Sequence, residues 1–156
     1  MGQAGMKLTE ILSKACIRAP LQAADKDGAI TELVDVLAEH GKITNRDQVL
    51  QAVLDREATR PTAVGHGLAV PHGKCAGSPE LVMAIGKPAS PLDYGIKDGD
   101  PITLIVLVCS PPDKTGPHIQ ALARIARLIL IDKFRSAIAQ AQTPEEIYDI
   151  IVRYEV

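Results

Sequence analysis

The run Ile102-Thr103-Leu104-Ile105-Val106-Leu107-Val108 constrains the fold more than any other stretch. It is a continuous series of β-branched residues and leucines with no polar alternation. A strand with one solvated face alternates apolar and polar side chains; a strand that does not alternate is covered on both faces. Such a strand needs a layer above it and a layer below. The segment that follows, Ser110-Pro111-Pro112-Asp113-Lys114-Thr115-Gly116-Pro117, cannot be helical and leads directly into helical periodicity.

Helical patterns supply the layers. Asp25-Lys26-Asp27 opens a helix whose buried face is Ile30, Leu33, Val34 and Leu37, with Gly41 as its C-terminal glycine. Asn45 and Gln48 form a capping-box pattern ahead of Val49, Leu50, Val53 and Leu54, in a helix expected to end near Arg56-Glu57. Ile119, Leu122, Ile125 and Ile129 give a third helix its stripe, and Phe134, Ile138 and Ala141 a shorter fourth. Thr143-Pro144-Glu145-Glu146 is a capping box with proline at the first helical position, ahead of Ile147, Ile150, Ile151 and Tyr154. Leu8 to Leu12 fits a short helical turn. Cys16 to Pro20, Leu68 to Val70 and Leu81 to Ile85 read as further strands, the first stopped by Pro20. Pro88 to Pro101 reads as loop, with Asp93-Tyr94 in a short strand or turn. The expected architecture is α/β: a single layered domain with a mixed sheet flanked by helices, spanning 6–156 after a disordered or vector-derived lead over 1–5.

At 156 residues the chain is long enough to bury one core, and its scarcity of aromatics (three Tyr, one Phe, no Trp) means that core is aliphatic. A net charge of -2, with no basic stripe, argues against nucleic-acid binding. The cysteines, Cys16, Cys75 and Cys109, are odd in number and widely spaced, which fits neither a disulfide framework nor a zinc knuckle and suits a reducing cytoplasm. There is no apolar signal core, and Leu104 to Cys109 is far too short to cross a bilayer, so direct membrane insertion is not expected.

Packing does not account for Val64-Gly65-His66-Gly67-Leu68-Ala69-Val70-Pro71-His72-Gly73. A short strand stops at Pro71, which has no N–H, and the next residue is a histidine followed by a glycine. An imidazole is thus presented at a strand end, with no β-carbon beside it to crowd what approaches. His118 is expected in the first turn of the third helix, with Thr115 as N-cap, where the dipole and free N–H groups favour an anion and a neutral imidazole. Arg56 ends the second helix and offers a fork matched to phosphate oxygens. Taken singly, each has an ordinary explanation: a solvated loop histidine, a tolerated first-turn histidine, a helix-end arginine. Together they suit an oxyanion and a nucleophilic histidine, hence a phosphohistidine. No P-loop is present, so a nucleotide phosphate is not the expected ligand.

Glu57, six residues, Val64-Gly65, two residues, then Leu68-Ala69-Val70-Pro71-His72-Gly73 resembles the pattern of the fructose/mannitol-type enzyme IIA domains of the bacterial phosphotransferase system, at every position of that pattern. His118-Ile119-Gln120-Ala121-Leu122-Ala123-Arg124-Ile125-Ala126 resembles the family's second segment, and Arg56 falls where these domains carry an active-site arginine. The resemblance runs from about Met6 to Tyr154 and implies a relay. His72 would accept a phosphoryl group, by analogy on Nε2, from the histidine-containing phosphocarrier protein. It would then pass the group to an enzyme IIB partner, commonly onto a cysteine. His118 and Arg56 would support the transferring group, with no metal, nucleotide or other cofactor. The chain leaves no room for IIB or IIC domains, so the IIB partner is expected on a separate chain, and a docking surface around His72 is expected to be apolar with a polar rim.

Two other readings compete. Single domains of the nitrogen-related type share the motif and report phosphorylation state by binding regulatory target proteins; Pro91-Leu92-Asp93-Tyr94 and the loop after it resemble that type. A zinc site would draw on His66, His72, Cys75 and His118. Otherwise His66 reads as a neighbour of the site, Lys74 as solvated or part of a docking rim, and His40 as a helix-end residue.

Overall fold

The computed structural model describes residues 6–96 and 99–155. The lead expected over 1–5 lies outside the described residues, as do 97 and 98 of the loop expected up to Pro101. Two 3₁₀ turns, Leu8–Glu10 and Lys14–Cys16, precede β1 (Ile17–Leu21). Helices α1 (Lys26–Glu39) and α2 (Arg46–Thr59) follow, then β2 (Ala63–Gly65), β3 (Leu68–Ala69), β4 (His72–Lys74), β5 (Val82–Pro88) and β6 (Leu104–Ser110). Helices α3 (Thr115–Leu128), α4 (Asp132–Gln140) and α5 (Pro144–Tyr154) complete the chain.

The sheet is mixed, in the order β1-β5-β6-β3-β2, with β4 also paired to β6. β6 runs antiparallel to β5 and parallel to β3 and β4. Leu68 pairs with Leu104 and His72 with Val108, so the offset is the same before and after Pro71. β3 and β4 are therefore one strand in register, interrupted at Val70-Pro71. There the Val70 N–H turns aside to the Thr62 carbonyl at 3.0 Å, while the Pro71 carbonyl still accepts from Val108 N–H at 3.1 Å.

Every residue of β6 is buried. Leu104, Val106 and Val108 join one core with Ala121, Ile125, Phe134, Ile147 and Ile151 from α3, α4 and α5. Ile105, Leu107 and Cys109 join the other, with Ile30, Leu33, Val49 and Val53 from α1 and α2. Two helices cover one face and three the other, which is the layered α/β arrangement expected from the unalternating run.

Local expectations fare unevenly. Asp25 caps α1 by accepting from Gly28 N–H, Gly41 follows that helix at φ 69°, and the Thr143–Glu146 capping box is complete. Asn45 caps α2 through Gln48 N–H, but its own N–H goes to the Gly77 carbonyl and not back to Gln48. Pro20 does not stop β1: it lies inside that strand, which pairs only with β5 at the sheet edge, where a missing N–H costs no ladder bond. α2 runs on to Thr59. Asp93-Tyr94 has no strand of its own, although Leu92 beside it forms an isolated bridge with Ile102. The stripe of α3 keeps Ile125 and Ile129 buried and Leu122 packed on the core, as expected, but departs at Ile119. His118, Ala121, Ile125 and Leu128 are buried, and Ile119 is 59% exposed.

Candidate functional site

Alternation along the interrupted strand sorts its side chains. Leu68 and Val70 belong to the core beneath α3, and Ala69 to the core beneath α1 and α2. His72 continues the first set and Gly73 the second. Gly73 does not clear space for a ligand, as its position suggested. A β-carbon there would stand 3.0 Å from Val53 Cγ2 and 3.2 Å from the Val53 backbone nitrogen. The glycine lets α2 lie directly on the strand, and Arg56 is one helical turn beyond Val53.

His72 and His118 meet edge to face, ring centroids 5.3 Å apart and planes at 69°. They arrive from the carboxyl ends of adjacent parallel segments, His72 on the interrupted strand and His118 on the helix after β6. Open α/β sheets place their ligand sites at such ends. His72 is half-buried, and its Nδ1 lies 2.9 Å from the Val70 carbonyl, freed from ladder pairing by the interruption. A carbonyl only accepts, so Nδ1 carries the proton and Nε2 the lone pair. Burial holds the basicity of His72 below the ordinary value, 6.5; the Val70 hydrogen bond opposes this, the Arg56 charge adds to it, Glu57 opposes and Lys74 adds. The imidazole is neutral at pH 7, with a nucleophilic nitrogen free.

His118 is 3% exposed. Its Nδ1 is 2.7 Å from Ser110 Oγ, and its Nε2 is buried without a hydrogen-bond partner among the described residues. Burial, then the neighbouring His72 and Lys74, pushes its pKa down to about 4. The cap of α3 is Lys114 and not Thr115, with no side-chain cap bond. The His118 N–H is taken by the Lys114 carbonyl at 3.0 Å, and Pro117 offers none. Fewer free N–H groups converge there than the sequence suggested.

Arg56 is partly exposed, and Nη1 donates to the Arg60 carbonyl at 3.0 Å. Its charge acts on His72 without a direct hydrogen bond. Lys74 is exposed and reaches Thr115 Oγ1 at 3.4 Å, bridging β4 to the start of α3. His66 turns the exposed β2–β3 hairpin at φ 57°, at the opposite end of the strand from His72. Cys75 packs with the core beneath α1 and α2, away from the histidine pair. Of the four residues of the zinc reading only His72 and His118 come together, and the described residues hold no cluster of three His, Cys, Asp or Glu placed for a metal. His40 is the C-cap of α1.

Two residues had no role assigned from sequence. Glu57 is buried on the same stripe of α2 as Val49 and Val53. It accepts from Thr62 N–H at 2.8 Å and Thr62 Oγ1 at 2.6 Å, and pairs with Lys26 at 3.2 Å. The Thr62 carbonyl holds Val70 N–H, and the Val70 carbonyl holds His72. A buried carboxylate thereby fixes the chain of contacts that orients the His72 imidazole. The second is Ser110, wholly buried and on the His72 face of β6. Both were readable from periodicity, since a polar residue in step with an apolar stripe is buried and needs a partner.

Comparison with known proteins shows the family. The sequence model described as "Phosphoenolpyruvate-dependent sugar phosphotransferase system, EIIA 2" matches residues 10–154. The chain is 31% identical over 150 residues to a fructose-specific EIIABC component of Bacillus subtilis, covering 96% of this chain but 24% of that protein. It therefore spans about a quarter of that relative. It is 30% identical over 148 residues to a nitrogen regulatory protein of Bradyrhizobium diazoefficiens, covering 94% of this chain and 95% of that one. The crystal structure of the nitrogen regulatory protein IIA-Ntr from Neisseria meningitidis superposes with a TM-score of 0.83 at 26% identity, over 91% of this chain and 97% of that one. A match across nearly the whole chain, on a fold that pairs His72 with His118, leads to one conclusion: the chain belongs to the EIIA 2 family of the phosphoenolpyruvate-dependent sugar phosphotransferase system.

Proposed function

We infer that this protein is a phosphoryl carrier and that His72 Nε2 is the acceptor atom. The observation that carries this reading is the Nδ1 contact with the Val70 carbonyl, which leaves a neutral Nε2 with its lone pair free. In the accepting step that lone pair attacks the phosphorus of a phosphoimidazole on the histidine-containing phosphocarrier protein. A P–N bond forms to His72 as the donor's P–N bond breaks, and the donor imidazole keeps the electron pair. In the onward step a thiolate of an enzyme IIB partner attacks the same phosphorus, and His72 leaves as neutral imidazole. His118 and Arg56 stabilise charge on the phosphoryl oxygens during both steps. The exposed Ile119 beside His118 fits an apolar docking surface for the two partners. No helix among the described residues is long and apolar enough to cross a membrane, and Cys16, Cys75 and Cys109 are free thiols, in keeping with work in the cytoplasm.

A regulatory role is the second reading, favoured by the likeness to a nitrogen regulatory protein along almost its full length. The chemistry at His72 is the same in both. One experiment tests the shared step. The protein is incubated with phosphoenolpyruvate, enzyme I and the phosphocarrier protein, and its mass is measured. The expected result is an acid-labile gain of one phosphoryl group, absent in His72→Ala. A gain that survives this substitution refutes the assignment. Transfer onward to a IIB cysteine marks the sugar relay, whereas phosphorylation-dependent binding of another protein without transfer marks the regulator.

A further inference from the structure

We propose that Ser110 is a positioning residue that fixes the tautomer of His118, so that its Nε2 carries a proton and can donate to a phosphoryl oxygen on His72. The proposal rests on His72 as acceptor and goes beyond it by assigning how the second histidine is kept in its donating form.

Ser110 carries a wholly buried hydroxyl. Ser110 Oγ has one partner among the described residues, His118 Nδ1 at 2.7 Å. A serine hydroxyl has one proton to donate and lone pairs to spare. Either tautomer of a neutral ring leaves one buried donor unpaired in the free protein, the Ser110 O–H or the His118 Nε2–H. Only the Nε2–H belongs to the ring edge-to-face with His72, where an arriving phosphoryl oxygen would accept it, so the Ser110 proton goes to Nδ1. That nitrogen is then the acceptor of a neutral ring, and the ring's proton must sit on Nε2. Burial holds the ring neutral, so the two tautomers are the only alternatives. The reversed tautomer would bury the Ser110 proton unpaired and present a lone pair at Nε2 where a phosphoryl oxygen arrives.

His118 Nε2 is the one ring nitrogen of the histidine pair that is fully buried yet unpartnered. Native proteins rarely leave such a group unpaired except where a ligand completes it. The two rings are in contact, so a phosphoryl group on His72 would lie beside this N–H. The interrupted strand and β6 both contribute. Val70 sets the proton of His72 on Nδ1, and Ser110 sets that of His118 on Nε2. One ring presents a lone pair and the other a donor. His72 pairs with Val108 and Lys74 with Ser110, which places the two anchoring residues on neighbouring segments of the sheet.

The test is nitrogen-15 NMR of protein labelled at histidine, run beside single-turnover transfer. In the native protein His118 should show its proton on Nε2 and a bare Nδ1. In Ser110→Ala the tautomers should mix, and transfer from phosphorylated His72 should slow roughly ten-fold, the worth of about one hydrogen bond. Ser110→Thr, which keeps the hydroxyl, should restore both. A native His118 protonated on Nδ1 overturns the proposal. So does a Ser110→Ala protein with an unchanged tautomer, whatever its transfer rate, since any slowing would then be structural. Failure of His72 to take up phosphate would refute the parent reading alone, because the tautomer is observed in the free protein.

Discussion

Gly73 lies against the backbone of α2 at Val53, so close that a β-carbon would be 3.0 Å from Val53 Cγ2 and 3.2 Å from the Val53 nitrogen, tighter than most β-carbons pack. This contact, made through the absence of an atom, joins the strand that carries His72 to the helix that carries Arg56. Gly73→Ala should force the helix and strand apart. The expected cost is about 1–3 kcal/mol of stability, read from urea unfolding, together with slower phosphorylation, because Arg56 moves with the helix. A variant as stable as the native protein would show that the interface yields freely.

Glu57 ties down the start of the path of contacts to His72. Removing its carboxylate in Glu57→Ala strands two buried donors on Thr62 and deprives Lys26 of its partner. A loss of roughly 3 kcal/mol in equilibrium unfolding is expected. Glu57→Gln keeps an acceptor for Thr62 and should lose less. Equal losses in the two variants would mean that the charge, and not the Thr62 bonds, matters.

Arg56 acts on His72 through space. The guanidinium disfavours a second positive charge, so Arg56→Ala should raise the His72 pKa toward the ordinary histidine value, as followed by NMR titration. The same variant should slow phosphoryl transfer by roughly ten- to a hundred-fold, as expected for loss of one preorganised cation. An unmoved titration would place Arg56 outside the site.

His118 makes stability depend on pH. Its folded pKa, about 4, is depressed below the unfolded value, 6.5, so the unfolded chain binds a proton first as pH falls. The contribution is whole above pH 6.5 and is lost between 6.5 and about 4. A depression of that size corresponds to roughly 3 kcal/mol. Unfolding of His118→Gln measured across that window should show a shallower decline than the native protein. Parallel curves would mean that the ring is not kept neutral by its surroundings.

The layers were legible in the sequence because they follow from one rule: an unalternating run such as Leu104 to Val108 must be covered twice. His72 was legible because Pro71 interrupts a strand just before it. What remained hidden is tertiary. Pro20 looked like a stop, and only the pairing of β1 at the sheet edge shows why it is tolerated. The glycine after His72 looked like room for a ligand, when the room is filled by α2. The α3 stripe was misjudged at its start because Ile119 was weighed by its hydrophobicity. The face is set instead by His118, whose burial makes sense once Ser110 is seen across from it. Glu57 lay in step with Val49 and Val53 all along, but its partner Thr62 comes from a loop whose path no local pattern dictates.

The central claim, that His72 carries the phosphoryl group on the nitrogen opposite its bond to Val70, has a direct measurement. Protein labelled with nitrogen-15 at histidine is phosphorylated and examined by NMR for coupling between phosphorus and imidazole nitrogen. The account predicts coupling at Nε2 of His72, with Nδ1 still protonated. Coupling at Nδ1 of His72, or on any other histidine, would contradict it.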